Sequence, residues 1–79
     1  MSSLLEKCNK LGLKMTDQRR IIVQVLSEST DHPDVEAVHQ RASKIDKGIG
    51  IATVYRTIAL FTDNNLLEKH EFKGFSSRY

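Results

Sequence analysis

Four residues in the stretch IGIATVYRTIALF have side chains that can contact DNA. Arg56 can donate two hydrogen bonds to guanine, and the methyl groups of Ala52 and Thr53 can touch thymine methyls. Tyr55 can offer its ring to a methyl group and its hydroxyl to a phosphate. A face of small residues around one arginine suits the major groove, but from spacing alone Arg56 can equally be a solvated surface charge and Tyr55 a packing residue.

The spacing of apolar residues around these four predicts one helix over residues 51–64. At about 100° per residue, its apolar side consists of Ile51, Val54, Ile58 and Phe61. Its polar side consists of Ala52, Thr53, Arg56 and Thr57, with Tyr55 at the edge. Leu60 also falls on the polar side, and the pattern offers no reason for it.

Three further helices are predicted upstream to position this one. The segment SLLEKCNKLG predicts a short helix that ends at Gly12. Thr16 can cap a second helix, whose apolar face consists of Ile21, Ile22, Val25 and Leu26. Asp34 can cap a third, whose apolar face consists of Val35, Val38, Ala42 and Ile45.

The C-terminal segment predicts a β-hairpin. LLEKHEF alternates as a strand does, GF can turn, and SSRY can return as a second strand. Three to four helices followed by a hairpin form an α+β fold, and a short turn before the penultimate helix indicates a helix-turn-helix with a wing. We therefore predict that residues 1–79 are one winged-helix domain.

Composition limits the classes of function. The chain has 79 residues and a formal net charge of +2, and its N-terminal twenty residues hold five bases against two acids. We expect a cytoplasmic protein without a membrane partner, because no apolar run is long enough to span a bilayer. An enzyme is not expected, because no residues are spaced as a nucleophile with a base or as an acid–base pair.

Three quoted segments carry a resemblance to a known family: GLKMTDQRRIIVQVL, DHPDVEAVHQRA and IGIATVYRTIALF followed by LLEKHEF. Together they closely resemble the ferric uptake regulator (Fur) family over nearly the whole chain. The resemblance implies a winged-helix DNA-binding domain that, in family members, precedes a metal-binding dimerisation domain and represses genes of metal uptake. We expect that second domain to be absent from these 79 residues.

The resemblance also assigns roles to individual residues. Tyr55 and Arg56 match the base-contacting pair of the family, with Ala52 and Thr53 as their neighbours. Lys14 matches a lysine that family members place in the minor groove of DNA. The minor groove is narrow in A·T-rich sequences and there attracts cationic side chains. Arg19 matches an arginine of the family, and its expected role is a contact with a phosphate. The implied partners are double-stranded DNA with an A·T-rich palindromic operator and a second copy of the chain.

His32 is the candidate metal ligand. From the residues alone it is a loop residue that can also satisfy backbone groups, because a zinc or iron site needs three or four donors in fixed geometry. The resemblance implies that His32 is one ligand of a regulatory Fe²⁺, Mn²⁺ or Zn²⁺ in the full-length family. The site would be incomplete here, so no cofactor is expected in this chain.

A second class of function remains open at this stage. A winged helix can also serve as a protein-interaction module without sequence-specific DNA binding. Tyr55, Leu60 and Arg56 would then form a patch resembling an interface hot spot.

Overall fold

A computed structural model describes residues 3–69 and 78–79, and the elements in these ranges are four α-helices. They are α1 (Leu4–Lys10), α2 (Asp17–Glu28), α3 (Val35–Ser43) and α4 (Ile51–Asp63). Helix α4 packs against α2 and α3, and α1 packs against α2. None of the helices within residues 3–69 and 78–79 is long and apolar enough to cross a membrane. The four helices that the sequence predicts are confirmed by these bounds.

The helix boundaries follow from local sequence. The hydroxyl of Thr16 accepts a hydrogen bond from the N–H of Arg19 at 3.2 Å, and the carboxylate of Asp34 accepts one from Ala37 at 2.8 Å. Each bond satisfies a backbone donor that the first turn of a helix leaves without an internal partner. After α1, Gly12 takes the left-handed conformation with φ of 73°, which a residue without Cβ adopts at no steric cost.

All four helices contribute to one hydrophobic core or border it. Its largest fully buried side chains are Phe61, Ile22, Ile58, Val38, Val54 and Cys8. Burying an aliphatic or aromatic side chain of this size stabilises the folded state by about 1.5–3 kcal/mol. Because α4 supplies the largest of them, Phe61, the helix with the candidate DNA contacts is firmly anchored to the rest of the fold.

Two apolar residues predicted to lie in the core are exposed. Ile45 is 49% exposed because α3 ends at Ser43, so the helical periodicity does not extend to residue 45. Ile51 is 48% exposed, although it was assigned to the apolar side of α4. It is the first residue of that helix, and the core position at this end is filled by Ile49, which is 2% exposed.

Two residues assigned to the polar side of α4 face inward instead. Thr57 is 4% exposed, because it lies three residues after Val54 and hence about 60° from it around the helix axis. Leu60 is half-buried and packs against the core. The buried side of α4 is therefore broader than predicted, and the unexplained position of Leu60 is resolved by this contact.

The predicted wing is not confirmed. Of the two predicted strands, residues 66–72 and 76–79, residues 70–72 and 76–77 lie outside the described residues, and neither 66–69 nor 78–79 is part of a strand. At the end of the chain, the backbone N–H of Tyr79 donates to the carbonyl oxygen of Pro33 at 2.9 Å. This bond brings the last residue to the loop between α2 and α3.

Candidate nucleic-acid interface

The outward face of α4 carries the four residues predicted to contact DNA. Ala52 and Arg56 are exposed, Thr53 is half-buried, and Tyr55 is 64% exposed. Ala52 and Arg56 lie four residues apart, about 6 Å along the helix axis, and so occupy the same side. The structure thus brings these side chains together on one continuous surface, opposite the buried Val54.

The charge of this face is favourable for an anionic partner. The first turn of α4 contains no acidic residue. Within residues 3–69 and 78–79, the structure shows no acidic partner for the guanidinium of Arg56. Its charge and its hydrogen-bond donors are therefore available to groups outside these ranges, and a planar guanidinium can bind a base edge or a phosphate through two donors.

A side chain from α3 fixes the start of α4. The Nε2 atom of His39 lies 3.0 Å from the carbonyl oxygen of Ile49, two residues before the helix. A carbonyl oxygen only accepts, so Nε2 carries the proton and donates. The same loop is closed by Asp46, whose side chain accepts from the N–H of Gly48 at 2.8 Å. These bonds determine where the exposed face of α4 begins.

The other two predicted DNA contacts meet at the start of α2. The Nη1 atom of Arg19 donates to the backbone carbonyl of Lys14 at 2.7 Å. The side chain of Lys14 is exposed, whereas Arg19 is half-buried. One guanidinium nitrogen of Arg19 is thus bonded within the protein. The sequence predicted a phosphate contact for Arg19 and gave no indication of this internal hydrogen bond.

The loop that carries His32 is held by an arginine of α3. Arg41 donates to both carboxylate oxygens of Asp31, at 2.9 and 2.8 Å, and to the hydroxyl of Ser29 at 2.9 Å. The hydrogen bond from Arg41 lowers the pKa of Asp31 from 3.8 to about 2. His32 follows directly and is exposed, while Pro33 is buried. The loop is therefore fixed on both sides of the histidine.

His32 is the residue predicted to bind a metal ion. The structure contains no group of three or more His, Cys, Asp and Glu residues within residues 3–69 and 78–79 that could hold a metal ion. The imidazole of His32 suits Fe²⁺, Mn²⁺ or Zn²⁺ as one donor.

A groove connects the His32 loop with the start of α4. Its volume is about 370 Å³, and it runs between the first turns of α3 and α4 and the end of the chain. The lining residues are Asp34, Val35, Glu36, Ile51, Tyr55, Lys69 and Tyr79. Tyr55 thus borders the segment that follows His32, so the predicted base-contacting residue and the candidate ligand loop are structurally adjacent.

Two positioning residues were not predicted from the sequence. Arg41 and His39 both lie on α3, and both bond to groups ten positions away along the chain. Their helical spacing gives no indication of such partners. A signal was present only for Arg41, because it follows an acidic segment that contains no lysine or arginine.

The fold and this surface define a class of protein. The four helices, the last of which exposes Arg56 on its outward face, superpose on solved metal uptake regulators. The chain belongs to the ferric uptake regulator family, whose model matches residues 10–79. Members of this family are transcriptional regulators and not enzymes.

Individual relatives support the same assignment. The chain is 47% identical over 77 residues to the ferric uptake regulation protein of Rhizobium leguminosarum bv. viciae, covering 98% of this chain and 54% of that protein. A solved zinc-bound manganese uptake regulator superposes with a TM-score of 0.94 at 45% identity, covering 99% and 59% of the two chains. The Vibrio cholerae ferric uptake regulator, whose structure is described as revealing a rearrangement of the DNA-binding domains, gives 0.81 at 31% identity, covering 92% and 56%. The chain thus spans about half the length of the relatives that it matches.

Proposed function

We propose that this chain is the DNA-binding domain of a metal-responsive repressor of metal-uptake genes and reads operator DNA with α4. One observation carries the proposal: Tyr55 is 64% exposed beside an exposed Arg56, on a helix whose opposite side is anchored in the core. A rigid helix with one adaptable cation and small neighbours can enter the major groove without rearranging the fold.

Each residue of the interface has a distinct role in this proposal. Arg56 donates to a guanine edge, and Ala52 with Thr53 allows close approach to thymine methyls. Tyr55 contacts a methyl group and a phosphate. Lys14 enters an A·T-rich minor groove, and the neighbouring Arg19 adds positive charge at the phosphate backbone.

Metal control and dimerisation belong to the same proposal. A palindromic operator matches two copies of the domain, related by a two-fold axis. His32 would supply one ligand to Fe²⁺, Mn²⁺ or Zn²⁺, and a second domain of the protein would supply the others and the dimer contact. One structural relative is described as a zinc-bound manganese uptake regulator, which supports the metal-responsive part of the proposal.

The alternative, a module that binds protein through Tyr55, Leu60 and Arg56, has less support. Leu60 packs against the core of the same chain, so the three side chains do not form one exposed patch. The exposure of Tyr55 alone does not distinguish a protein partner from DNA. The salt dependence of binding does distinguish them. Binding to phosphates weakens steeply with added salt, because counterions are released from the DNA.

The experiment is a titration of an A·T-rich palindromic duplex and a scrambled duplex at two salt concentrations, with the chain alone and as a tethered dimer. Arg56→Ala should lose about 1–3 kcal/mol of binding to the palindrome and flatten the preference between duplexes. Lys44→Ala is the matched control, because it removes one exposed positive charge outside the interface. Failure of the tethered dimer to bind either duplex at low salt would overturn the proposal.

A further inference from the structure

The linker between α1 and α2 is held in one conformation along its length. After the left-handed Gly12, the N–H of Leu13 donates to the carbonyl oxygen of Cys8 at 3.1 Å. Leu13 and Met15 are half-buried and pack against the core, whereas Lys14 between them is exposed. Successive side chains of an extended segment point to opposite sides, so burying the two neighbours directs Lys14 outward.

Arg19 fixes the same linker from the first turn of α2. Its backbone N–H is bound by the hydroxyl of Thr16 at 3.2 Å, and its Nη1 donates to the carbonyl oxygen of Lys14 at 2.7 Å. A hydrogen bond from a charged donor is stronger and shorter than a neutral one, and 2.7 Å lies at the short end of the range. The carbonyl of Lys14 is thus held by a cation that is itself fixed to the helix.

We infer that Arg19 is a positioning residue for Lys14, which it holds in the orientation needed to enter the minor groove. This inference rests on the proposed function, because it concerns how Lys14 contacts DNA. A lysine on a free linker would have to be ordered on binding, and ordering a rotamer-rich side chain and its backbone lowers affinity. Arg19 removes the backbone part of that cost before DNA is present.

The inference differs measurably from a direct phosphate contact by Arg19. If Arg19 contacts phosphate directly, removing its charge should weaken binding equally for all sequences. It should also reduce the slope of log affinity against log salt concentration by about 0.9. A positioning role would instead change the preference for A·T-rich over G·C-rich duplexes, because only Lys14 depends on minor-groove width. The two residues would also be energetically coupled.

The test is a double-mutant cycle with Lys14→Ala, Arg19→Ala and the double variant, measured on matched A·T-rich and G·C-rich duplexes at several salt concentrations. Arg19→Gln is measured in the same way. It removes the charge but keeps part of the aliphatic side chain, which is half-buried at this position. Arg20→Ala is the matched control, because Arg20 is the adjacent arginine and its side chain is exposed. Thermal unfolding of each variant shows that the comparison is made between folded proteins.

We expect Lys14→Ala and Arg19→Ala each to reduce the A·T preference about threefold to tenfold, the size of a coupled contact. The double variant should lose no more preference than Lys14→Ala alone. Arg20→Ala should leave the preference unchanged. The ¹³C resonance of the Lys14 carbonyl should shift in free Arg19→Gln and not in free Arg20→Ala, which reports the hydrogen bond without DNA.

Two outcomes would overturn the inference. Additive losses in the double variant, equal for both duplexes, would show that Arg19 contacts phosphate independently. An unchanged A·T preference in Lys14→Ala would show that Lys14 does not enter the minor groove, so there would be nothing for Arg19 to position. Neither outcome overturns DNA binding through α4, which is tested separately by the tethered dimer and by Arg56→Ala.

Discussion

Arg41 and Asp31 are joined by two parallel hydrogen bonds, of 2.9 and 2.8 Å, that connect α3 with the loop preceding it. The planar guanidinium matches the two carboxylate oxygens, and such paired bonds fix orientation as well as distance. Through this pair the segment directly before His32 is fixed to α3. The pair therefore links the candidate ligand loop to the body of the domain.

The first prediction concerns acid stability and the Asp31 carboxylate. Its pKa in the folded protein, about 2, lies below the ordinary value of 3.8 because Arg41 donates to the ionised form. Ionised Asp31 therefore favours the folded state above pH 4, and this contribution is lost as the pH falls from 3.8 toward 2. Asp31→Asn should make the melting temperature less dependent on pH in this interval, as measured by thermal unfolding between pH 2 and 6.

The control for Asp31 is Asp63→Asn, which changes an exposed carboxylate at the end of α4. It should retain the pH dependence of the wild type across the same interval. The effect of Asp31→Asn should be small, because solvent screens a pair whose side chains are 39% and 53% exposed. If the melting curves of wild type and Asp31→Asn run parallel from pH 2 to 6, the pair contributes no pH-linked stability.

The second prediction concerns the hydrogen bond between His39 and Ile49. His39→Phe keeps a ring of similar size but leaves the carbonyl oxygen of Ile49 without this donor. The free energy of unfolding should fall by about 1–2 kcal/mol, the cost of losing a hydrogen bond at a partly buried acceptor. Urea unfolding measures it, with Gln40→Ala on the exposed side of α3 as the control. Equal stability of the two variants would mean that the bond does not hold the start of α4.

The third prediction compares two aliphatic residues of α4. Val54 is fully buried and Ile51 is 48% exposed, although the helical spacing placed both on one side. Val54→Ala should lower the free energy of unfolding by about 2 kcal/mol, because it removes two methyl groups and leaves a cavity. Ile51→Ala should cost about 1 kcal/mol or less. The reverse order in urea unfolding would show that Ile51 contributes more to the core than Val54 does.

The fourth prediction concerns the thiol of Cys8, which is fully buried on α1. Burial raises the pKa of this thiol, although the charge of Arg19 acts in the opposite direction. Since the thiolate is the reactive form, Cys8 should react with an aromatic disulfide reagent at pH 8 at least roughly ten times more slowly in the folded protein than in urea. Similar rates in both conditions would indicate that α1 opens readily without global unfolding.

Local rules were sufficient to predict where α2 and α3 begin and which residue follows the end of α1. Thr16 and Asp34 cap α2 and α3 as expected, and Gly12 takes the predicted left-handed conformation after α1. These features depend on a few neighbouring residues, whose backbone and side-chain geometry the sequence specifies directly. The family followed from quoted segments and is confirmed by the match over residues 10–79.

Tertiary contacts account for the differences between the predicted and the observed positions of side chains. Thr57 and Leu60 were assigned to a polar side, because an angular pattern cannot show how widely neighbouring helices cover α4. Ile51 was assigned to the core, because the burial of Ile49 two residues earlier depends on the path of a loop. The bond from Arg19 to Lys14 was not foreseen for a related reason: a linker carbonyl has no sequence pattern of its own.

The division of α4 into two faces has a consequence for how this protein can change over evolutionary time. Val54, Ile58 and Phe61 hold the helix, while Ala52 and Arg56 lie on the far side and take no part in the core. Substitutions at separated positions without shared partners have nearly independent effects. The outward positions are therefore free to diversify and acquire new target preferences, while the inward positions preserve the scaffold that carries them.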